Sequence, residues 1–392
     1  MLYRVLLFLL CVFMFAFPKG GFKVGEIPLT WGYLLLFIFT FFSSFSVISQ
    51  HDNYYVKQIR RYVLLLCLPF QIYCVQILLL SSITVSVGFL LSFILSIVIM
   101  PFIFLFLLNK EIDTTRFERI FSPVFINCVR FVAIFGLVLF FLRILSGKTF
   151  EIPYLTVNID DIGTLDTLKY NMRGSISKLV STYNNGNLYG ISLLILTPLY
   201  FERERFFLFK IILIISLVLT LSRTVWIGIL LYTLLFFSSK ITTAKGWAVL
   251  LLAAFSIIFF GPIILNLIGV NLNFLFDSGL GGRASQLTVF DNLSLFGDFN
   301  FVGMGEIVYA SILQNFGFLG IFLFILYLFA PVLVFLMYKK RLTTYDNSKA
   351  YWGLLIYCII AISDGAILLI PVMAFYWFMS SYIFRSYSFA GN

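Results

Sequence analysis

Two arginines carry the clearest chemical signal in this chain. Arg223 stands in Leu221-Ser222-Arg223-Thr224-Val225-Trp226, between two apolar stretches, and Arg283 follows Gly281-Gly282 in a long polar segment. A guanidinium is a planar donor that grips a phosphate or diphosphate through two parallel hydrogen bonds. The hydroxyls of Ser222 and Thr224 flank Arg223 and suit the same ligand. The competing reading of Arg223 is snorkelling to lipid phosphates. For Arg283 it is an ordinary solvated loop arginine. Ala284 to Phe290 predicts a short amphipathic helix on a membrane surface. Arg283 would then sit in its first turn, where backbone N–H groups also face an anion. Arg173 and Lys178, in an earlier polar segment, join the set as further anion-binding candidates.

Carboxylates are the second signal. Glu306 follows Gly303-Met304-Gly305 and precedes a long apolar run, a placement that suits a general acid or base. It equally suits a glutamate that complements the dipole of a helix N-terminus. Asp291 and Asp298 stand before it as reserves. Asp364, just before Gly365, pairs with an arginine or marks a helix end. Arg130 and Arg143 fall within an apolar stretch and need partners or water, because charge inside a membrane is costly.

Other chemistries lack their residues. One histidine, His51, is too few for a histidine metal site, and Asp160-Asp161 is only a vicinal pair. The five cysteines lie in apolar segments without loop spacing and read as small buried hydrophobes. No phosphate-binding glycine loop and no nucleophile elbow occurs. The sequence therefore predicts neither metal nor cofactor, and it disfavours ATP-driven transport and serine hydrolysis.

The elements that must position these groups are membrane helices. The chain is 61% hydrophobic, 19% aromatic and 11% charged, with 49 Phe. A soluble surface cannot hide that much apolar area, whereas a bilayer solvates it. Runs of roughly 20 apolar residues place spans near 2–17, 29–49, 62–80, 83–108, 121–146, 186–201, 206–221, 225–238, 246–268, 307–337, 350–368 and 371–384. The first has Arg4 before it and no small-residue cleavage site, so it reads as a retained span. The prediction is an all-α integral membrane protein of about twelve transmembrane helices, with residues 1–392 forming one domain.

Charge orients it. With both termini cytoplasmic, the majority of the 27 Lys and Arg fall in cytoplasmic segments, as basic residues do in membrane proteins. The net charge of +10 is thus spread over short loops and does not predict a nucleic-acid partner. Two long segments, 147–185 and 269–306, face the other side, and cytoplasmic loops are all short. Arg223 and Arg283 lie on that outer side, against the usual bias, and an anionic substrate at the outer surface would explain them. No internal repeat is visible.

At these residues the chain resembles the O-antigen polymerase and ligase superfamily of bacterial envelope glycosyltransferases. Thr182 to Gly190 looks like the family's Asn-rich run into a span. Leu221 to Gly228, LSRTVWIG, looks like its Ser-Arg motif. Gly281 to Gly320 looks like its second-loop pattern, with an Arg, a Gly-x-Gly, Tyr309 and the Gly317-x-x-Gly320 pair. In the ligases this pattern carries a histidine where Glu306 stands, so the chain resembles the Wzy-type polymerases more than the ligases.

The resemblance implies a GT-C-like bundle with two long periplasmic loops in the bacterial inner membrane, its active site facing the periplasm. It implies inverting, metal-independent transfer of a growing polysaccharide from undecaprenyl diphosphate to a new lipid-linked oligosaccharide unit. Arg223, Arg283 and Glu306 would be catalytic. Arg173, Lys178, Ser222, Thr224 and Tyr309 would bind substrate. Partners would be the lipid-linked saccharides, membrane lipid and a chain-length regulator. Two alternatives stay open, an O-antigen ligase and a flippase or transporter of lipid-linked oligosaccharide.

Overall fold

The computed structural model describes residues 2–24, 27–46, 54–107, 114–166, 171–173, 176–237, 284–291, 294–297, 299–342 and 345–384. Helices dominate, as they must where lipid offers backbone groups no partner. In chain order they are α1 (Leu2–Cys11), α2 (Trp31–Ser46), α3 (Tyr54–Leu80), α4 (Val87–Ile94), α5 (Met100–Phe102), α6 (Thr114–Ser146), α7 (Gly186–Arg203), α8 (Phe207–Val218), α9 (Arg223–Phe237), α10 (Val308–Leu342), α11 (Tyr345–Ile360) and α12 (Val372–Ile383). α4 and α5 belong to one rod joined and extended by π-helical Leu95–Ile99 and Ile103–Leu107.

Among the described residues, four segments are long and apolar enough to cross a membrane: Gln58–Leu80, Val87–Leu105, Phe117–Ser146 and Val308–Lys339. Six further apolar helices among them are shorter, at 10–17 residues. The molecule is therefore an all-α, membrane-type bundle. Helices stand where the apolar runs predict them, apart from span 246–268, which lies outside the described residues. The expected span 350–368 is a correction. Its helix ends at Ile360, and residues 361–371 form a chain of turns. Hydropathy is blind to this boundary because Ile367, Leu368, Leu369 and Ile370 are apolar. What ends the helix is local: Asp364 N–H still reaches Ile360 O at 3.1 Å, but Gly365 N–H leaves the helix and donates to Glu306 O at 3.2 Å.

Since lipid is as apolar as a leucine side chain, helices here associate through close packing and interhelical hydrogen bonds. α7 is the centre, buried along nearly its whole length. A β-carbon on Gly190 would collide with Val225, one on Gly228 with Leu194, and one on Gly353 with the Ile195 carbonyl oxygen. Those three contacts bring α9 and α11 against α7. Tyrosine hydroxyls add cross-links: Tyr189 with Ser216 at 2.6 Å, Tyr309 to Cys358 O at 2.9 Å and Tyr327 to Ile97 O at 2.9 Å. Phe15 packs among the rings of Phe121, Phe125, Phe375 and Phe378 and joins α6 to α12. All five cysteines are buried, and none is in a disulfide.

The described parts of the two long segments lie at one end of the bundle. A hairpin of β1 (Gly21–Val24) and β2 (Ile27–Thr30) bridges to Asn158 in the first. β3 (Ser82–Ile83) pairs in parallel with β6 (Asn300–Phe301) in the second. β4 (Met172–Arg173) and β5 (Ile176–Ser177) form a further short hairpin within the first. The acidic residues of that segment are used to fold it. Asp166 accepts from Thr149 and pairs with Arg143 at 3.3 Å, Glu151 accepts from Gly163 N–H at 2.6 Å, and Asp161 pairs with Lys23 at 2.5 Å. Arg143 thus finds in Asp166 the partner that a charge in an apolar stretch needs. Arg130, unplaced by the sequence, meets Glu204 through Nε and Nη2, both at 2.6 Å.

Candidate functional site

Three sequence segments and one unexpected turn meet at the end that holds the long segments. The first is the Asn-rich run before α7. Asn184 takes a left-handed conformation (φ 61°), which ends the turn Ser181–Tyr183 and redirects the chain. Asn185 then caps α7, its side chain accepting from Asn187 N–H at 2.8 Å and Leu188 N–H at 3.2 Å. Asn187, in the first helical turn, donates from Nδ2 to Asp364 Oδ2 at 2.9 Å and accepts from Lys178 Nζ at 3.1 Å. Lys178 is 4% exposed and Asp364 3%.

The second segment is LSRTVWIG. Leu221 (φ 49°) makes the sharp turn between α8 and α9. Trp226 locks it, its indole donating to Val218 O at 2.9 Å and its N–H to Ser222 O at 3.0 Å. Arg223 opens α9 half-buried, and among the described residues no hydrogen bond or ion pair holds its guanidinium. Thr224 bonds across to Ser363, Oγ1 to Oγ at 3.1 Å. That bond ties the Arg223 turn to the residue next to Asp364.

The third segment surrounds Glu306. Its anchor is a break in α10 at Gly317, whose φ of 68° and ψ of −169° no helix permits. A side chain there would be strained and would strike Leu295 and Gly297 backbone. The N–H groups freed by the break are taken up by Ser294 O and Leu295 O, both within 3.0 Å. Asn315 then laces down the following residues, accepting from Val302 N–H at 3.0 Å and donating to Gly303 O at 2.7 Å. Gln286 accepts from Ile307 N–H at 2.9 Å, and Ser311 from Gly305 N–H at 2.8 Å. Glu306 is thus held at a defined point, its side chain exposed.

Between these segments lies a cavity of about 330 Å³, bounded by Asn185, Asn187, Gln286, Glu306 and Asp364, with Phe89, Met304 and Leu368 among its apolar lining. The size falls in the range of small-molecule sites, about 300–1,000 Å³. The arrangement can bind hydroxyls and offer a carboxylate to take a proton, and a cation stands at the head of α9, in the turn bonded to Ser363.

The predicted residues divide as follows. Glu306 lines the cavity, and Lys178 supports Asn187 in its wall. Arg223 opens the helix whose Thr224 is bonded to Ser363. The hydroxyls of Ser222 and Thr224 are buried in the packing that carries Arg223. Tyr309 is spent within the bundle on Cys358 O and does not line the cavity. Arg173 lies in β4, and its side chain, like the whole of Arg283, lies outside the described residues. So does Asp298, while Asp291 ends a 3-10 helix, Ala284–Asp291, in place of the expected amphipathic α-helix. The sequence reading undervalued Asn185, Asn187, Gln286 and Asp364. The double Asn before a helix was the visible signal for the first two. Among the described residues no cluster of His, Cys, Asp and Glu could hold a metal ion.

Comparison with protein-family models, curated proteins and solved structures gives no match. The chemistry of the site is therefore argued from its own residues.

Proposed function

We propose that this protein is a membrane glycosyltransferase that polymerises oligosaccharide units carried on undecaprenyl diphosphate, a Wzy-type O-antigen polymerase working at the periplasmic face of a bacterial inner membrane. One observation supports this reading most. The Asn-rich run and the Glu306 segment, far apart in sequence, line one cavity, and the LSRTVWIG turn is tied beside it through the Thr224–Ser363 bond, one residue from Asp364 in the cavity wall. They are the segments in which the sequence resembles that superfamily.

The chemistry follows from the residues. The donor already carries its leaving group, a diphosphate, so the main need is to stabilise negative charge as the anomeric C–O bond breaks. Arg223 at the head of α9 supplies a guanidinium and a helix N-terminus for that charge. Arg283 would add a second cation. The acceptor hydroxyl needs a base, and we assign that role to Glu306, which is exposed and lines the cavity. Its proton passes to Glu306, its oxygen bonds to the anomeric carbon, and the electron pair of the broken bond leaves with the diphosphate.

A transporter of lipid-linked saccharides is the second reading, favoured by the break in α10, since discontinuous helices mark transporter sites. Against it, the N–H groups freed by the break are consumed by the chain's own Ser294 and Leu295 carbonyls. Lipopolysaccharide banding in a gene-deletion strain separates the readings. A core bearing a single repeat unit, restored to a ladder by wild type and not by expressed Arg223→Ala, supports polymerisation. Bare core with units trapped on the cytoplasmic side supports transport, and full polymer held on undecaprenyl diphosphate supports a ligase.

A further inference from the structure

The polar wall of the cavity is ordered by a chain of donors with a single direction. Lys178 Nζ can only donate, and it meets Asn187 Oδ1 at 3.1 Å. That fixes the amide and turns Nδ2 toward Asp364, whose Oδ2 it reaches at 2.9 Å. Asp364 is thus held as an acceptor while bordering the cavity. A carboxylate has about four lone-pair sites, more than the Asn187 amide occupies, and Asp364 borders the cavity where a ligand hydroxyl would meet it. Glu306 borders the same space, and the two residues share a backbone bond, Gly365 N–H to Glu306 O. Two carboxylates disfavour an anion inside this space. Oriented oxygens and amides beside apolar Phe89 and Leu368 suit a neutral ring with hydroxyls at its rim and C–H groups on its faces.

We propose that this cavity is the acceptor-sugar site, that Asp364 receives a hydrogen bond from an acceptor hydroxyl, and that Asn187 is the residue that positions Asp364. This inference rests on the glycosyl-transfer reading above. It divides the labour between the carboxylates. Asp364, buried and already bonded to Asn187, binds and orients the sugar. Glu306, exposed, takes the proton of the attacking hydroxyl as that oxygen bonds to the anomeric carbon and the diphosphate leaves with its electron pair. The diphosphate is assigned to Arg223, which does not line the cavity that both carboxylates border.

The test uses membranes containing the full chain, supplied with lipid-linked repeat units extracted from the gene-deletion strain. Polymer formation is followed against unit concentration and pH. Asp364→Asn preserves size and still accepts from Asn187, so the wall keeps its shape. It is expected to raise the apparent KM by about 10- to 100-fold, the worth of a hydrogen bond to a charged group, with kcat and the pH profile close to wild type. Asn187→Leu is expected to raise KM in the same direction, and Asp364→Glu to recover part of the loss. Glu306→Gln should instead lower kcat and remove the acidic limb of the profile. Wild-type KM in both Asp364→Asn and Asn187→Leu overturns the inference, as does loss of the acidic limb in Asp364→Asn, which would make Asp364 the base. Both outcomes leave glycosyl transfer standing. Absence of polymer from wild-type membranes overturns the transfer reading and this inference with it.

Discussion

Two groups of charged side chains in this bundle are used in opposite ways. At the end away from the cavity, cations and carboxylates are closed into pairs. Arg130 grips Glu204 through two nitrogens, Arg203 meets Glu118 at 2.7 Å, and Lys349 pairs with Glu202. These pairs join α6, α7 and α11, and Arg203 also bonds Tyr382 of α12. At the cavity end, Arg223 has no partner among the described residues, while Glu306 and Asp364 border open space. The difference separates charge that fastens helices from charge kept for a ligand. A close pair with buried atoms satisfies itself and has nothing left to offer. A carboxylate that borders a cavity can accept from a ligand beside the contacts it already makes.

That contrast can be broken at several points. The largest effect is expected at Arg130→Ala. It leaves the Glu204 carboxylate, whose side chain is fully buried, without its cation, and breaking such a pair costs about 3–5 kcal/mol. Thermal unfolding in detergent should show the loss, and activity per folded molecule should not change. Unaltered stability would mean that this end is not a fastening. The pair also carries a pH signature. Burial pushes Glu204 upward, but hydrogen bonds from Arg130, Phe206 N–H and Tyr200 outweigh it and hold it below the ordinary carboxylate value. A group held low in the folded state adds stability above its unfolded value and loses it as pH falls through the folded one. Wild type should therefore weaken in acid below about pH 4.5, the ordinary value, and Glu204→Gln should lack that slope.

Next in size is Arg223→Ala, expected to lower polymer formation about 10²- to 10³-fold, the usual worth of a charge-stabilising donor. Its unfolding midpoint should stay at the wild-type value, since no described partner is lost. A large fall in stability with activity per folded molecule intact would move Arg223 to the fastening class. Gly353→Ala should follow, because its methyl meets the Ile195 carbonyl oxygen and α11 must shift from α7. Overpacking of this kind costs about 1–3 kcal/mol, readable as a lower unfolding midpoint. Asp161→Asn should matter least. It opens a part-exposed pair with Lys23, worth about 0–1 kcal/mol, and a greater loss would show that the hairpin β1–β2 supports the site.

Particular residues show where sequence reading reached and where it stopped. Apolar runs located the helices because the lipid requirement acts on every residue of a span. Asn185 carried a capping signal, since Asn before a helix often caps it, but it was read only as part of an Asn-rich run. Arg223 was legible as an exception to the charge bias. Asp364 was read as a helix end, and nothing local reveals that Asn187, 177 positions away, donates to it. The turn at 361–371 was invisible because apolar side chains there mimic a span. The partners of Arg130 and Arg143, at 74 and 23 positions' remove, were equally out of reach.

By itself, then, the sequence determined an all-α membrane protein, its polar long segments and a short roster of chemically able residues, because hydropathy and residue type are properties of single positions and near neighbours. Which of those residues share a cavity, which are consumed by ion pairs, and where α10 breaks to hold Glu306 were decided by tertiary structure. Those outcomes depend on glycine contacts and single hydrogen bonds between helices distant in the chain, and no local pattern encodes them.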